Sequence, residues 1–283
     1  MNTLEKRDGN IIVKIIIYAV CIFFALLSIW PFIIMLVNST RSTTQIQQHA
    51  VSLIPSKFLM KNYKVFEGKS FNPWVGMLNS AVMSTGITIL TIYFSTLTAY
   101  AIVAYDWKLK GAFYTMILCV MMIPTTVVSI GFYQFMFKLK MTNNLLAMIL
   151  PTIAAPGTVF FMRQFMLASL PLDILDSARI DGSRELNTFN KIALPIMKPA
   201  MATQAIFTFV NSWNQLFLPS LLLTKDAKKT LPVMVSMLKG DIYKTEYGTV
   251  YLGLTLTVLP LFIVYFALSR YIIAGVALGG VKG

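Results

Sequence analysis

Six apolar stretches, at about 15–37, 78–104, 112–137, 144–168, 200–223 and 249–273, leave this chain of 283 residues little choice of fold. Each is as long as the ~20 residues a helix needs to cross the ~30 Å hydrocarbon core of a bilayer, with allowance for tilt. Backbone donors and acceptors find no water there, so the crossings have to be helices rather than isolated strands. With 57% hydrophobic residues and a mean hydropathy of +0.70, the expectation is an all-α membrane protein with six transmembrane helices in one domain, 1–283. The first stretch follows Lys6, Arg7 and Lys14 as a signal peptide would. It is too long for a 7–15-residue signal core and lacks a small-x-small cleavage site, so it reads as a retained helix.

A net charge of +13 raises the question of nucleic acid, and the distribution of that charge answers it. The 24 basic residues are spread over every loop rather than gathered on a face or arm, which favours membrane lipid headgroups and no nucleic acid. With the N-terminus inside, twelve Lys and Arg fall on each side of the membrane, so charge alone sets no orientation. Cys21 and Cys119 lie in different spans and read as small apolar side chains.

Catalytic chemistry has little to work with. Gly68, Lys69 and Ser70 end like a phosphate-binding loop, but its first glycine would stand where Tyr63 does, and no apolar strand precedes it. The single histidine, His49, leaves no histidine-based metal site or Ser-His-Asp triad. All 11 acidic residues fall outside the six stretches, whereas ion-coupled carriers usually keep a carboxylate inside the membrane. Energy for uphill transport would then come from another subunit.

Within the fifth stretch, Asn211, Asn214 and Gln215 fall within about 100° of one another on a helix. Two readings stand: a face that hydrogen-bonds a polyhydroxylated solute, or amides that hold helices together. Asn79, Ser80, Ser84 and Thr88 in the second stretch, and Gln134 in the third, are further candidates for a substrate pathway with the same alternative. Arg163 near the end of the fourth stretch reads as a side chain reaching for headgroups. Prolines interrupt several stretches, most densely in P-T-I-A-A-P-G at 151–157, a suitable place for a bend beside a pathway. Two loops are long, about 38–77 and 224–248, and the apolar run 231–238 in the second reads as a short interfacial helix.

The one concentrated polar segment, residues 173–195, reads as two short helices meeting at Gly182. Leu172, Ile174, Leu175 and Ala178 form one apolar stripe, with Asp173, Asp176 and Ser177 opposite. Arg179 puts a cation near the stripe, and Ile180 an apolar side chain outside it. Gly182 suits a helix end because it takes left-handed angles without steric cost. Ser183 is the expected N-cap of the second helix, with Glu185 in its first turn and Leu194 at its end before Pro195.

This segment resembles the "EAA" loop of importer-type ABC transporter permeases, E-A-A-x-x-x-G and then, after nine further residues, I-x-L-P. Asp176, Ser177, Ala178, Gly182, Ile192, Leu194 and Pro195 stand at those positions, with Asp for Glu and Ser for the first Ala. R-I-D-G at 179–182 and G-V-K-G at 280–283 are most similar to the carbohydrate-uptake branch, specifically its maltose-type second permease subunit. The resemblance implies an ABC type I importer transmembrane fold with both termini and a helix-turn-helix coupling loop, 169–199, in the cytoplasm of a bacterium. It implies that Leu172, Leu175, Asp176, Ser177, Ala178, Arg179, Asp181, Gly182, Leu194 and Pro195 couple the chain to an ATPase. The implied partners are a homologous sister permease, two ATP-binding subunits and an extracytoplasmic sugar-binding protein. This chain would bind no cofactor or metal; ATP and Mg would sit on the ATPase. An ion-coupled or passive sugar carrier, and an ABC permease for a non-sugar solute such as an amino acid or phosphonate, remain alternatives. A membrane-embedded enzyme lacks any constellation of nucleophile, base or metal ligands.

Overall fold

The computed structural model describes residues 11–68, 72–239 and 245–279, with the backbone alone at 125–126 and 268–279. The G-V-K-G run at 280–283, and Lys69 and Ser70, lie outside the described residues. All regular structure among the described residues is helical. Contacts divide the chain into two compact units, one within residues 1–68 and 238–255 and the other within 69–237 and 256–283.

The first unit begins with α1 (Ile11–Ser39), whose side chains are almost all exposed until Asn38 and Ser39. A 29-residue helix with apolar groups on every side is long and apolar enough to cross a bilayer. The chain then turns into α2 (Thr43–Gln48) through a reciprocal cap, in which the Gln45 amide donates to Ser42 Oγ and the Ser42 amide to Gln45 Oε1. Arg41 is buried beneath this turn, where its guanidinium donates to Asn38 Oδ1, Gln45 O and His49 O. Asn62 of α3 (Leu59–Gly68) donates to Ser39 O and Arg41 O, tying the third helix to the same turn.

The second unit is built around α4 (Pro73–Ala104), a 32-residue helix capped by Asn72, whose side chain accepts from the Trp74 and Val75 amides. Ser80, Ser84, Thr91 and Ser95 are buried along α4, and their small size lets neighbouring helices approach closely. The elements that follow are α5 (Lys110–Met121), α6 (Thr125–Lys138), α7 (Leu146–Ile149), α8 (Pro156–Ser169), α9 (Leu172–Ile180), α10 (Glu185–Thr188), α11 (Leu194–Ile196), α12 (Lys198–Trp213), α13 (Phe217–Leu222) and α14 (Leu231–Met237). The last helix, α15 (Tyr247–Gly279), begins in the first unit and continues in the second.

Among the described residues, four helices are long and apolar enough to cross a membrane: Ile11–Ser39, Pro73–Ala104, Leu146–Ser169 and Tyr247–Ala267. A fifth candidate is the pair Glu185–Ile196 and Lys198–Trp213, bent by 79°. The described residues therefore form an all-helical structure with four to five candidate spans. Three expected stretches are not continuous α-helices. The third is broken at residues 122–124, because Pro124 has no amide to donate and holds its neighbour away from helical angles. The fifth stops at Trp213 and resumes at Phe217. The fourth passes through a 3-10 turn at Leu150–Ile153 and opens at Ala154 and Ala155, within the proline-rich run.

One smaller expectation is corrected. The 231–238 run does form a helix, but Leu231, Val233, Met234 and Val235 are buried rather than spread on an interface. Gly76 of α4 supplies the close approach, since a Cβ there would meet Met234 Sδ at 2.6 Å and the Leu231 backbone at 3.2 Å. Cys21 and Cys119 are both exposed and face outward from α1 and α5.

Candidate functional site

Two features of the second unit bear on function, the polar segment after α8 and a cavity among the helix breaks. The polar segment opens with α9, which buries Leu175 and Ala178 and leaves Ile180 87% exposed. Leu172 and Ile174, expected on the same stripe, are only half covered. The helix ends as the sequence requires. The Gly182 amide donates to Arg179 O and the Ser183 amide to Ala178 O, with Gly182 at φ +78°.

Arg179 is the hub that holds this turn. Its Nε lies 2.9 Å from Glu185 Oε1, its Nη1 2.9 Å from Asp176 Oδ1, and its Nη2 donates to Ala104 O at 3.2 Å. The guanidinium also sits over the Tyr105 ring, 5.2 Å from its centre. Glu185 receives the Tyr100 hydroxyl on its other oxygen. The Tyr105 hydroxyl, and after it Arg179, hold the Glu185 carboxyl below its ordinary value against the opposing effect of burial. Burial, followed by the contact with Glu185, pushes the Tyr105 hydroxyl up. Arg179 is held more firmly protonated than usual, chiefly by Glu185. Sequence reasoning placed Glu185 in a first helical turn but missed its bond to Arg179, which depends on the turn at Gly182 folding α10 back.

Two expectations about the second short helix fail. The residue preceding it is Arg184, not Ser183, and Ser183 Oγ instead accepts from the Thr188 hydroxyl at 2.8 Å. Leu194 does not end the helix. A π-helical turn at Phe189–Ala193 comes first, in which the Leu194 amide reaches back to Phe189 O, and α11 runs on through Pro195. The wider turn removes the crowding that a proline imposes on an ordinary helix, and the bend falls at Met197. Phe189 is fully buried against Tyr93 and Tyr100, and Ala193 and Met197 join it in a core with Leu175, Met162 and Met166.

The cavity, about 890 Å³, opens where the helix interruptions meet. Ile87 and Thr91 of α4, Val120 and Ile123 at the α5 break, Ser129 and Phe132 of α6, and residues from Pro151 to Thr158 line it. Thr208, Asn211 and Ser212 of α12 and Gln215 beyond it complete the wall. Its polar side chains are hydroxyls and carboxamides, and among the described residues no charged side chain lines it.

The structure sorts the proposed pathway residues. Asn211 and Gln215 share the cavity wall, although Gln215 stands beyond the helix end rather than on a common helical face. Asn214 caps α12 and is not on that wall. Trp213 is buried between them, stacked on Phe209 and donating its Nε1 to Thr257 O at 2.9 Å. Asn79 donates to Ala227 O and Lys229 O, clamping a loop. Ser84 is buried in α4 and Gln134 is exposed on α6, both away from the cavity, and Ser80 accepts from the Leu231 amide. Thr88 donates to Ser84 O within its own helix. Thr91, Ser129, Thr158 and Thr208 were not singled out in the sequence, and isolated hydroxyls in an apolar stretch carry no signal that could have found them.

Comparison with known proteins shows the family and the fold. Residues 91–277 match the family model described as "Binding-protein-dependent transport system inner membrane component". The chain is 35% identical over 263 residues to the arabinooligosaccharides transport system permease protein AraQ of Halalkalibacterium halodurans, covering 92% of this chain and 94% of that protein. It is 33% identical over 282 residues to the lactose transport system permease protein LacG of Rhizobium radiobacter, covering both in full (100% each). Its identity to the sn-glycerol-3-phosphate transport system permease protein UgpE of Salmonella typhi is 29%, over 96% of this chain and 98% of that one. Its fold matches a chain from the crystal structure of a bacterial ABC transporter involved in the import of the acidic polysaccharide alginate, at a TM-score of 0.77 and 21% identity, covering 95% and 100% of the two chains.

Proposed function

We propose that this chain, which belongs to the family of binding-protein-dependent transport system inner membrane components, forms half of a passage for an uncharged sugar. As a member of that family it is a non-catalytic permease subunit of an ABC importer in the bacterial inner membrane, working with an ATPase and a binding protein. The cavity is the observation that carries the sugar reading. A neutral polyol needs donors and acceptors of moderate strength, which hydroxyls and amides provide, and gains nothing from fixed charge. Among the described residues, a phosphate or carboxylate would meet no cation in that wall. The arabinooligosaccharides and lactose systems of two relatives fit the same chemistry.

In this reading the chain is one domain of six crossings, with the broken third and fifth stretches bent around the passage. Residues 169–199 face the cytoplasm and α9 docks on one of two ATP-binding subunits, through Leu172, Asp176, Ser177 and neighbouring exposed groups. Leu175, Ala178, Gly182, Leu194 and Pro195 shape the loop, Arg179 bolts it to α4, and Asp181 stands at its turn. Closure of the ATPase on ATP and Mg, which this chain does not bind, moves the loop and α4 together. The passage, shared with a sister permease, then turns from inward- to outward-facing and receives the sugar from an extracytoplasmic binding protein.

Substrate-stimulated ATP hydrolysis by the reconstituted importer tests the sugar reading. Neutral oligosaccharides should stimulate hydrolysis through their binding protein, and Asn211→Ala with Gln215→Ala should raise the concentration needed for uptake several-fold. Stimulation by glycerol phosphate or a uronate with no response to neutral sugars would defeat it.

A further inference from the structure

Arg163 differs from the other arginines held inside this protein. Arg41 and Arg179 each donate to three acceptors. Among the described residues nothing accepts a hydrogen bond from Arg163, and its Nε is buried without a partner. The guanidinium carbon instead sits over the ring of Tyr114, 4.1 Å from its centre. Gln164 donates from Nε2 to the Tyr114 hydroxyl at 3.4 Å, which leaves that hydroxyl's own proton available to another acceptor. A guanidinium whose donors are unmatched in a half-buried place calls for an anion, and its planar fork suits two oxygens on one phosphorus.

The depth of the pair identifies the anion's source. Arg163 stands six residues before the end of α8, and Tyr114 four residues after the start of α5, so both lie ~6–9 Å inside the helix ends next to the 169–199 segment. Beyond them toward the membrane centre, Met116 of α5 is an exposed apolar side chain, and Leu167 is exposed on the other side. A phospholipid can lay its acyl chains on such a surface and bring its phosphate to the guanidinium.

We infer that Arg163, Tyr114 and Gln164 form a binding site for the headgroup phosphate of an anionic phospholipid in the groove between α5 and α8. The phosphodiester accepts from the Arg163 fork and the Tyr114 hydroxyl, while the tyrosine ring backs the guanidinium. The site is separate from the cavity and does not depend on which solute the protein carries.

Native mass spectrometry of the full chain in detergent, titrated with phosphatidylglycerol, diacylglycerol or inorganic phosphate, provides the test. One phosphatidylglycerol should stay bound in preference to diacylglycerol, and Arg163→Gln should weaken it by about tenfold, the loss of one charge-assisted phosphate contact. Lys138→Gln, at an exposed basic position on α6, should leave it unchanged. Arg163→Lys keeps the charge and loses the planar fork, so it should fall between, and it replaces Arg163→Gln should that variant fail to fold. Equal retention of phosphatidylglycerol by the parent and both Arg163 variants would overturn the site. Displacement of the lipid by millimolar phosphate would make it a free-anion site instead. Loss of the sister permease on changing Arg163, with lipid retention intact, would assign the guanidinium to a protein carboxylate.

Discussion

Gly182 is the one described glycine at positive φ, and a Cβ built there meets nothing within 4 Å. A substitution at this position is therefore a question of backbone energy alone. A left-handed angle costs an ordinary residue ~1–2 kcal/mol and a β-branched one more, whereas asparagine tolerates it. Gly182→Asn should retain most uptake, and Gly182→Val should lose most of it at equal membrane abundance, measured as ATP-dependent sugar accumulation. Equal uptake by the two would show that the turn's geometry does not matter. Glu185 makes a prediction of a different kind. Its folded carboxyl titrates below its ordinary value, so its stabilisation is present above the unfolded value, ~4.3, and fades as pH falls through the folded one. The gap in melting temperature between the parent and Glu185→Gln should hold steady from pH 8 to 5 and shrink below about pH 4. A gap that ignores pH would mean the carboxylate charge contributes nothing.

The polar segment shows where reading along the chain works and where it stops. The end of α9 at Gly182 is local chemistry, a residue type suited to one backbone angle, and it was legible. The end of the following helix at Pro195 was not, because the π-helical turn before it is held by Phe189 and Ala193 packing against α4 and α8. The contacts of Phe189 with α4 join residues about 90 apart, beyond any local signal. Asp176 is likewise committed in part to Arg179, three residues on, so Asp176→Lys would repel that arginine as well as change the docking face. Asp176→Asn is the cleaner variant. It should lower recovery of the ATPase in a detergent pull-down, by severalfold if the acidic face is the contact, while leaving membrane insertion intact. Unchanged recovery would assign docking to the apolar groups of α9.

For the protein as a transporter, the fifth stretch is the instructive case. Its composition marks a membrane span with amides in it, and the sequence places Asn211, Asn214 and Gln215 on one helical face. The helix stops at Trp213, whose indole is anchored to Thr257 O in α15, so that only Asn211 and Gln215 reach the cavity. Trp213→Phe removes that one hydrogen bond, worth ~1 kcal/mol, and should loosen the segment. The expected result is a weaker apparent sugar affinity with a modest loss of thermal stability. An equal loss of stability with unchanged affinity would make Trp213 a packing residue only. Pull-down of the chain from its native membrane should bring an ATP-hydrolysing subunit and a second permease. Recovery of the chain alone, folded, would leave the coupling role of residues 169–199 without support.

Membrane residence, the helical fold and the position of the one concentrated polar segment are all inscribed in the order of residues. The reason is that lipid acts on every stretch separately: a span must satisfy its own backbone, and an EAA-like segment declares itself by spacing. Which hydroxyls and amides share a cavity, which helices break, and which arginine is saturated and which is left open were decided only in three dimensions. Those outcomes depend on partners distant in sequence, such as Thr91 beside Thr152, Arg179 on Ala104 O and Arg163 on Tyr114, whose meeting no local pattern encodes.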